Sequence, residues 1–187
     1  TSMFARAFFE LHERLNLRQL FRLTEPEMIR HLQEQATGTP AAELLNGVFG
    51  PKRLIYKRVA EYTLHQDPEI YARLARKPYG QVVRYATEFV RRLQARSNQS
   101  ISACDLLIDA PPVHREVEIN IPIYYARQNV YRQLDEVSPV VAALARTQFD
   151  DIVKRVRIYA HPLVAEELKN IKEFDTLLLE AVAAVDQ

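Results

Sequence analysis

Cysteine is nearly absent: Cys104 stands alone among 187 residues. One thiol cannot build an internal disulfide framework, and the shortage fits a reducing compartment, so a cytoplasmic location is expected. Glycine is scarce as well. Gly38, Gly47, Gly50 and Gly80 are too few and too scattered for a phosphate-cradling loop or a dinucleotide fingerprint. No apolar run approaches the ~18 residues of a membrane span. The opening "TSMFARAFFELHERLNL" interleaves acids and bases with apolar residues, unlike a secretion signal.

Histidine chemistry also lacks its usual spacing. None of His12, His31, His65, His114 and His161 stands beside an aspartate, and no two sit four residues apart as in a helical zinc site. His12 and His31 fall on amphipathic helices, and His161 precedes a proline at a strand end, which suits a structural role. Cys104 has no flanking nucleophile signature and reads as a buried thiol. Asp105 and Asp109 in "LLIDAPP" read as loop-facing polar residues beside a proline turn, with a cation site as the alternative. No catalytic residue and no metal ligand set is therefore assigned.

What the sequence has is an ordinary globular balance, 48% hydrophobic and 26% charged, enough to bury a core without staples. One compact lobe over residues 1–187 is expected. The net charge of +1 hides an asymmetry: residues 1–100 carry 16 Lys/Arg against 10 Asp/Glu, and residues 101–187 carry 9 against 14. The excess concentrates in 52–96, where 11 bases meet 4 acids. Such a patch suits phosphates, although a pI near 7.8 does not mark a dedicated nucleic-acid binder.

The first hundred residues read as helices. Phe4, Phe8, Leu11 and Leu15 form one amphipathic stripe. Thr24 with Glu27 forms a capping box, flanked by Leu23 and Met28 at the staple positions. Thr39-Pro40 opens a helix over "AAELLNGVF", Asp67-Pro68 another over "PEIYARLARK", and "YGQVVRYATEFVRRLQAR" a long one with Val82, Val83, Ala86, Phe89, Val90 and Leu93 inside. Between them "GPKRLIYKRV" predicts a short strand near 53–59. The second half mixes elements. "CDLLIDAPP" predicts a buried strand, and "REVEINIPIYY" a half-buried one with Val117, Ile119, Ile121, Ile123 and Tyr125 inward and Pro122 at an edge or bulge. Ser138-Pro139 caps a helix through Val153. "KRVRIYAHP" predicts a strand with Val156, Ile158 and Ala160 inward and Arg155 and Arg157 outward, followed by helices from Pro162 onward. The expected fold class is α+β, mostly α-helical with a small, partly antiparallel sheet.

Two strands thus carry dense cations. If they pair in one sheet, Lys52, Arg53, Lys57 and Arg58 converge with Arg155 and Arg157 on one anion-binding face. The alternative is a solvated basic surface.

The order of "LTEPEMIRHL", "RLIYKRV", "LLIDAPP", "LDEVSPVVAAL" and "VKRVRIYAHP" resembles the C-terminal half of HD-domain phosphohydrolases of the dNTP triphosphohydrolase-like group, over nearly the whole chain. In that family a His…His-Asp…Asp set in an N-terminal helical domain holds the catalytic divalent metal. This chain contains no His-Asp dipeptide, so the resemblance implies an inert lobe whose partner is its own HD domain and which itself holds no cofactor. It further implies phosphate contacts from Arg53, Lys57, Arg58, Arg155 and Arg157, homo-oligomer contacts and, in some members, nucleotide binding. The competing expectations are a helical module binding an acidic partner or nucleic acid, and a purely structural scaffold. Nucleic acid is the weaker variant, because the aromatics near the cations are few and look packed rather than displayed for stacking.

Overall fold

The computed structural model describes residues 1–96, 101–113, 121–143 and 154–187. Their contacts group into two units: Thr1–Glu61 with Tyr79–Asp109 and Arg157–Gln187, and Tyr62–Pro78 with Ala110–Val156.

The first unit begins with α1 (Ser2–Leu11), a 3-10 turn at His12–Arg14, α2 (Leu17–Leu20), α3 (Glu25–Ala36) and α4 (Ala41–Phe49). The α3 start is the expected capping box: the Thr24 backbone N–H and hydroxyl both donate to Glu27 Oε2, at 2.8 and 2.7 Å. Leu23 and Met28 pack against the core, as the staple requires. Met3, Ala7 and Leu11 of α1 are buried with Leu32, Ala36, Leu44, Leu45, Tyr56, Cys104 and Leu107. Each fully buried leucine contributes about 1.5–3 kcal/mol. Phe4 and Phe8 sit half-buried beside this row rather than at its centre, with Phe4 edge-on to Phe49 at 5.9 Å. The stripe read from the sequence is therefore rotated, and it leaves Arg6 inside. Arg6 is only 4% exposed, and its Nε donates to Glu10 Oε1 at 2.7 Å.

α4 supplies a close backbone approach at Gly47. Leu54 N–H donates to Gly47 O at 3.0 Å, and a Cβ on Gly47 would lie 2.8 Å from Leu54 O. Residues 53–56 are thereby held against α4 and do not pair as a strand. The strand β1 (Lys57–Tyr62) starts four residues later than the expected Arg53. β2 (Leu106–Asp109) matches the expected buried strand, with Leu106, Leu107 and Ile108 inside.

The remaining helices of this unit are α6 (Tyr79–Arg96), α9 (Pro162–Lys169) and α10 (Phe174–Asp186). α6 spans the expected segment and buries Val82, Tyr85, Ala86, Phe89, Val90 and Leu93. It packs on α10, where Phe89 and Phe174 meet edge-on at 5.0 Å. Asp186 accepts the Tyr85 hydroxyl at 2.5 Å and Gln81 Nε2 at 2.8 Å, while Arg92 reaches Glu180 at 2.8 Å. One helix face thus combines an apolar stripe with polar ties at its rim.

The sheet order is β1-β5-β2, with β5 (Val156–Ala160) central. β5 runs antiparallel to β2, pairing Ile158 with Ile108 and Arg157 with Asp109. Val156, Ile158 and Ala160 are fully buried and alternate with Arg157 and Tyr159, as the period-2 pattern predicts.

The second unit contains α5 (Pro68–Leu74), the hairpin of β3 (Pro122–Tyr125) and β4 (Val130–Gln133), α7 (Leu134–Val137) and α8 (Pro139–Ala143). The expected half-buried strand is present over Pro122–Tyr125, with Pro122 and Tyr124 exposed, and one residue expected inward is not covered. Ile121 is 50% exposed, and Ile123 and Tyr125 are only partly covered. The chain turns at 126–129 and returns as β4, so β3 is one strand of a two-stranded ribbon. Val117, Ile119 and His114 lie outside the described residues. So does the helix expected through Val153 beyond Ala143.

Candidate anion-binding face

The sheet order settles where the cation-bearing strands lie: β1 and β5 are neighbours. Arg58 on β1 and Arg157 on β5 converge on a single carboxylate oxygen. Arg58 Nη1 lies 2.5 Å and Arg157 Nε 3.0 Å from Glu61 Oε2. Glu61, which the cation pattern alone does not single out, pairs with both guanidiniums. Its signal was visible three residues after Arg58, but the cross-strand link to Arg157 required the pairing of β1 with β5. The Glu61 hydrogen bond holds the Arg157 guanidinium above its ordinary pKa, so it stays charged.

The other candidates differ. Lys52 and Arg53 are exposed in the turn after Gly50-Pro51, and Lys57 is exposed at the first position of β1. None of these three makes an ion pair among the described residues. Arg155 is exposed one residue before β5. The face is therefore graded: Arg58 and Arg157 are tied to an internal carboxylate, and Lys52, Arg53 and Lys57 offer charge to solvent. It is also open. Two grooves run along α6, lined by residues such as Arg84, Arg91 and Gln94 in one and Leu93, Arg96 and Glu167 in the other, and neither includes any of the six cations.

Close to this sheet, Tyr56 and His161 pack edge-on at 5.4 Å. His161 is 6% exposed and caps α9: its Nδ1 accepts the Leu163 N–H at 3.2 Å. The ring proton is thereby placed on Nε2, which faces Glu43 Oε1 at 3.4 Å. This is the structural role expected at the strand end. The Tyr56 hydroxyl is buried and makes no hydrogen bond among the described residues. Burial first, then the charges of Asp105 and Glu43, push its pKa upward and keep it protonated.

Cys104 is buried and free. Burial raises its thiol pKa, which removes the thiolate a nucleophile needs. Asp105 Oδ2 accepts the Ser102 N–H at 2.6 Å, a local turn contact. Among the described residues no three His, Cys, Asp or Glu side chains are grouped to hold a metal ion. Among the described residues no helix is long and apolar enough to cross a membrane.

Comparison with protein families gives one match, to the model described as the HD associated region, over residues 1–185. No curated protein and no solved structure matches the chain.

Proposed function

This chain belongs to the family of HD associated regions, and from that premise we propose that it is the non-catalytic lobe of a metal-dependent HD-type phosphohydrolase. The observation that carries this reading is the match over residues 1–185, an accessory region that accompanies an HD domain. The parent hydrolyses a nucleotide or phosphoester with a metal-activated water. The divalent metal is held by the HD domain and not by this lobe. The order of segments favours the dNTP triphosphohydrolase-like group.

In this reading the β1–β5 edge contributes phosphate contacts. Lys52, Arg53 and Lys57 supply mobile, solvated charge, and Arg58 and Arg157 exchange Glu61 for a phosphate oxygen when one approaches. Bidentate guanidinium contacts of this kind exceed what a single lysine gives. Homo-oligomer contacts through the same lobe complete the proposal.

The test is steady-state hydrolysis of dNTPs by the intact HD-domain protein, comparing wild type with Arg53→Glu/Lys57→Glu. The expected result is a raised KM, by about tenfold for ~1.4 kcal/mol of lost phosphate interaction, with kcat little changed. Unchanged kinetics in the charge-reversed variant would remove phosphate binding from this face.

A further inference from the structure

The hairpin β3–β4 displays two aromatic side chains to solvent. Tyr124 and Tyr131 face each other across the two strands, and their rings lie 5.0 Å apart. They are 50% and 70% exposed. The Tyr124 hydroxyl donates to Asn129 Oδ1 at 2.9 Å, and Asn129 holds φ +52 in the turn. That bond fixes one ring of the pair and leaves the outer face of Tyr131 to solvent. On the opposite side of the ribbon the Arg132 guanidinium lies 5.4 Å from the Tyr125 ring centroid, with its Nη2 donating to Gln128 Oε1 at 3.0 Å.

The charge around these rings has one sign. Residues 121–133 contain Arg127 and Arg132 and no acid. Neither arginine is in an ion pair among the described residues, while Asp135 and Glu136 begin α7 just beyond the ribbon. Two tyrosines on a narrow strand pair, flanked by cations with only a side-chain amide for company, have the composition of a stacking platform. Bases stack on exposed aromatic faces whatever their identity, and arginines take the phosphates between them. An apolar partner protein would find no slot here, since the ring edges carry hydroxyls and the rim is cationic.

We propose that the β3–β4 hairpin binds single-stranded nucleic acid, with a base stacked on the exposed ring of Tyr131 and the strand passing over the narrow ribbon, so that Arg127 in the turn and Arg132 on the far face each meet a flanking phosphate. This site is separate from the β1–β5 face and does not depend on the phosphohydrolase reading. Two phosphate contacts give a salt slope of about −1.4, so affinity falls about sevenfold between roughly 50 and 200 mM salt. Loss of one stacked base weakens binding about five- to 150-fold.

The experiment is fluorescence anisotropy of a labelled oligodeoxythymidylate of about 12 nucleotides with the intact HD-domain protein. Four variants are compared: Tyr131→Ala, Tyr131→Phe, Arg127→Ala and Arg132→Ala. Tyr131→Ala is expected to weaken binding within the stated range, and Tyr131→Phe, which keeps the ring and the fold of the ribbon, to retain it. Each arginine variant is expected to reduce the salt slope by about 0.7. Three results would overturn the proposal. One is oligonucleotide binding that Tyr131→Ala, Arg127→Ala and Arg132→Ala all leave unchanged, or no binding at all. Another is competition by free dTMP as effective as by the polymer, which would make the ligand a mononucleotide. The last is concentration-dependent dimerisation lost in Tyr131→Ala without oligonucleotide binding, which would make the ribbon a contact between copies.

Discussion

Replacing Glu61 with glutamine tests whether this carboxylate competes with an external anion for Arg58 and Arg157 on the candidate face. Glu61 Oε2 accepts from Arg58 at 2.5 Å and Arg157 at 3.0 Å, and its side chain is only 20% exposed. The amide keeps the shape and one acceptor oxygen but removes the charge that both guanidiniums share. Arg58 is largely solvated, so the loss of that pair costs within the ~0–1 kcal/mol of surface ion pairs. Arg157, more enclosed, adds to this, and a total near 1 kcal/mol of stability is expected. Affinity for an external anion should move the other way. One competing charge about 4 Å from the site is worth ~1 kcal/mol even at the dielectric of water, which is about fivefold in the dissociation constant. Titration calorimetry with pyrophosphate, wild type against Glu61→Gln, reads this directly. Tighter binding by fivefold or more is expected, together with a slightly lower urea midpoint. Equal or weaker pyrophosphate binding in the variant would show that Glu61 does not stand in for a ligand.

Gly47→Ala should destabilise by about 1–3 kcal/mol in urea unfolding, because the new Cβ would press on Leu54 O and Met3 Cε; an unchanged midpoint would mean that the 53–56 segment is not fixed by this contact. The Tyr85 phenol is pushed up to about 12, by burial first and then by its bond to Asp186. A raised folded-state pKa stabilises the protonated form, so this contribution is intact below pH ~10, the unfolded value, and is lost as pH rises toward 12. Tyr85→Phe should therefore flatten the stability profile over that window, measured by urea unfolding at stepped pH, and an identical slope would refute the assignment. Cys104 should react with a thiol reagent only as fast as the protein unfolds, releasing one thiol per chain in denaturant; rapid labelling of the native protein would contradict its burial.

Elements whose signals are local were readable in the sequence. α6 carries a complete apolar stripe from Val82 to Leu93, and α3 announces its start through Thr24 and Glu27. β5 alternates without interruption, which fixed its faces before its neighbours were known. The misses share another cause. Whether Arg53–Tyr56 pairs as a strand depends on Gly47, where the missing side chain admits the backbone of Leu54. Arg6 enters the core because Glu10, one turn on, neutralises it, and a hydrophobicity pattern registers arginine only as surface. The hairpin partner of β3 was not legible because Ala126-Arg127-Gln128-Asn129 carries no glycine or proline, and the turn is completed by Asn129 in a left-handed backbone. At the candidate face the sequence supplied the cations, and only the β1–β5 pairing showed that Glu61 already binds two of them.

The central claim is that this lobe assists an HD domain and hydrolyses nothing itself. Its most direct test is phosphate, pyrophosphate and triphosphate release from the four dNTPs by the purified 187-residue chain with Mg²⁺ or Mn²⁺, run beside the intact HD-domain protein. The account predicts turnover by the intact protein and none by the lobe. Turnover by the lobe that survives Arg53→Glu/Lys57→Glu and disappears in His161→Ala would contradict it.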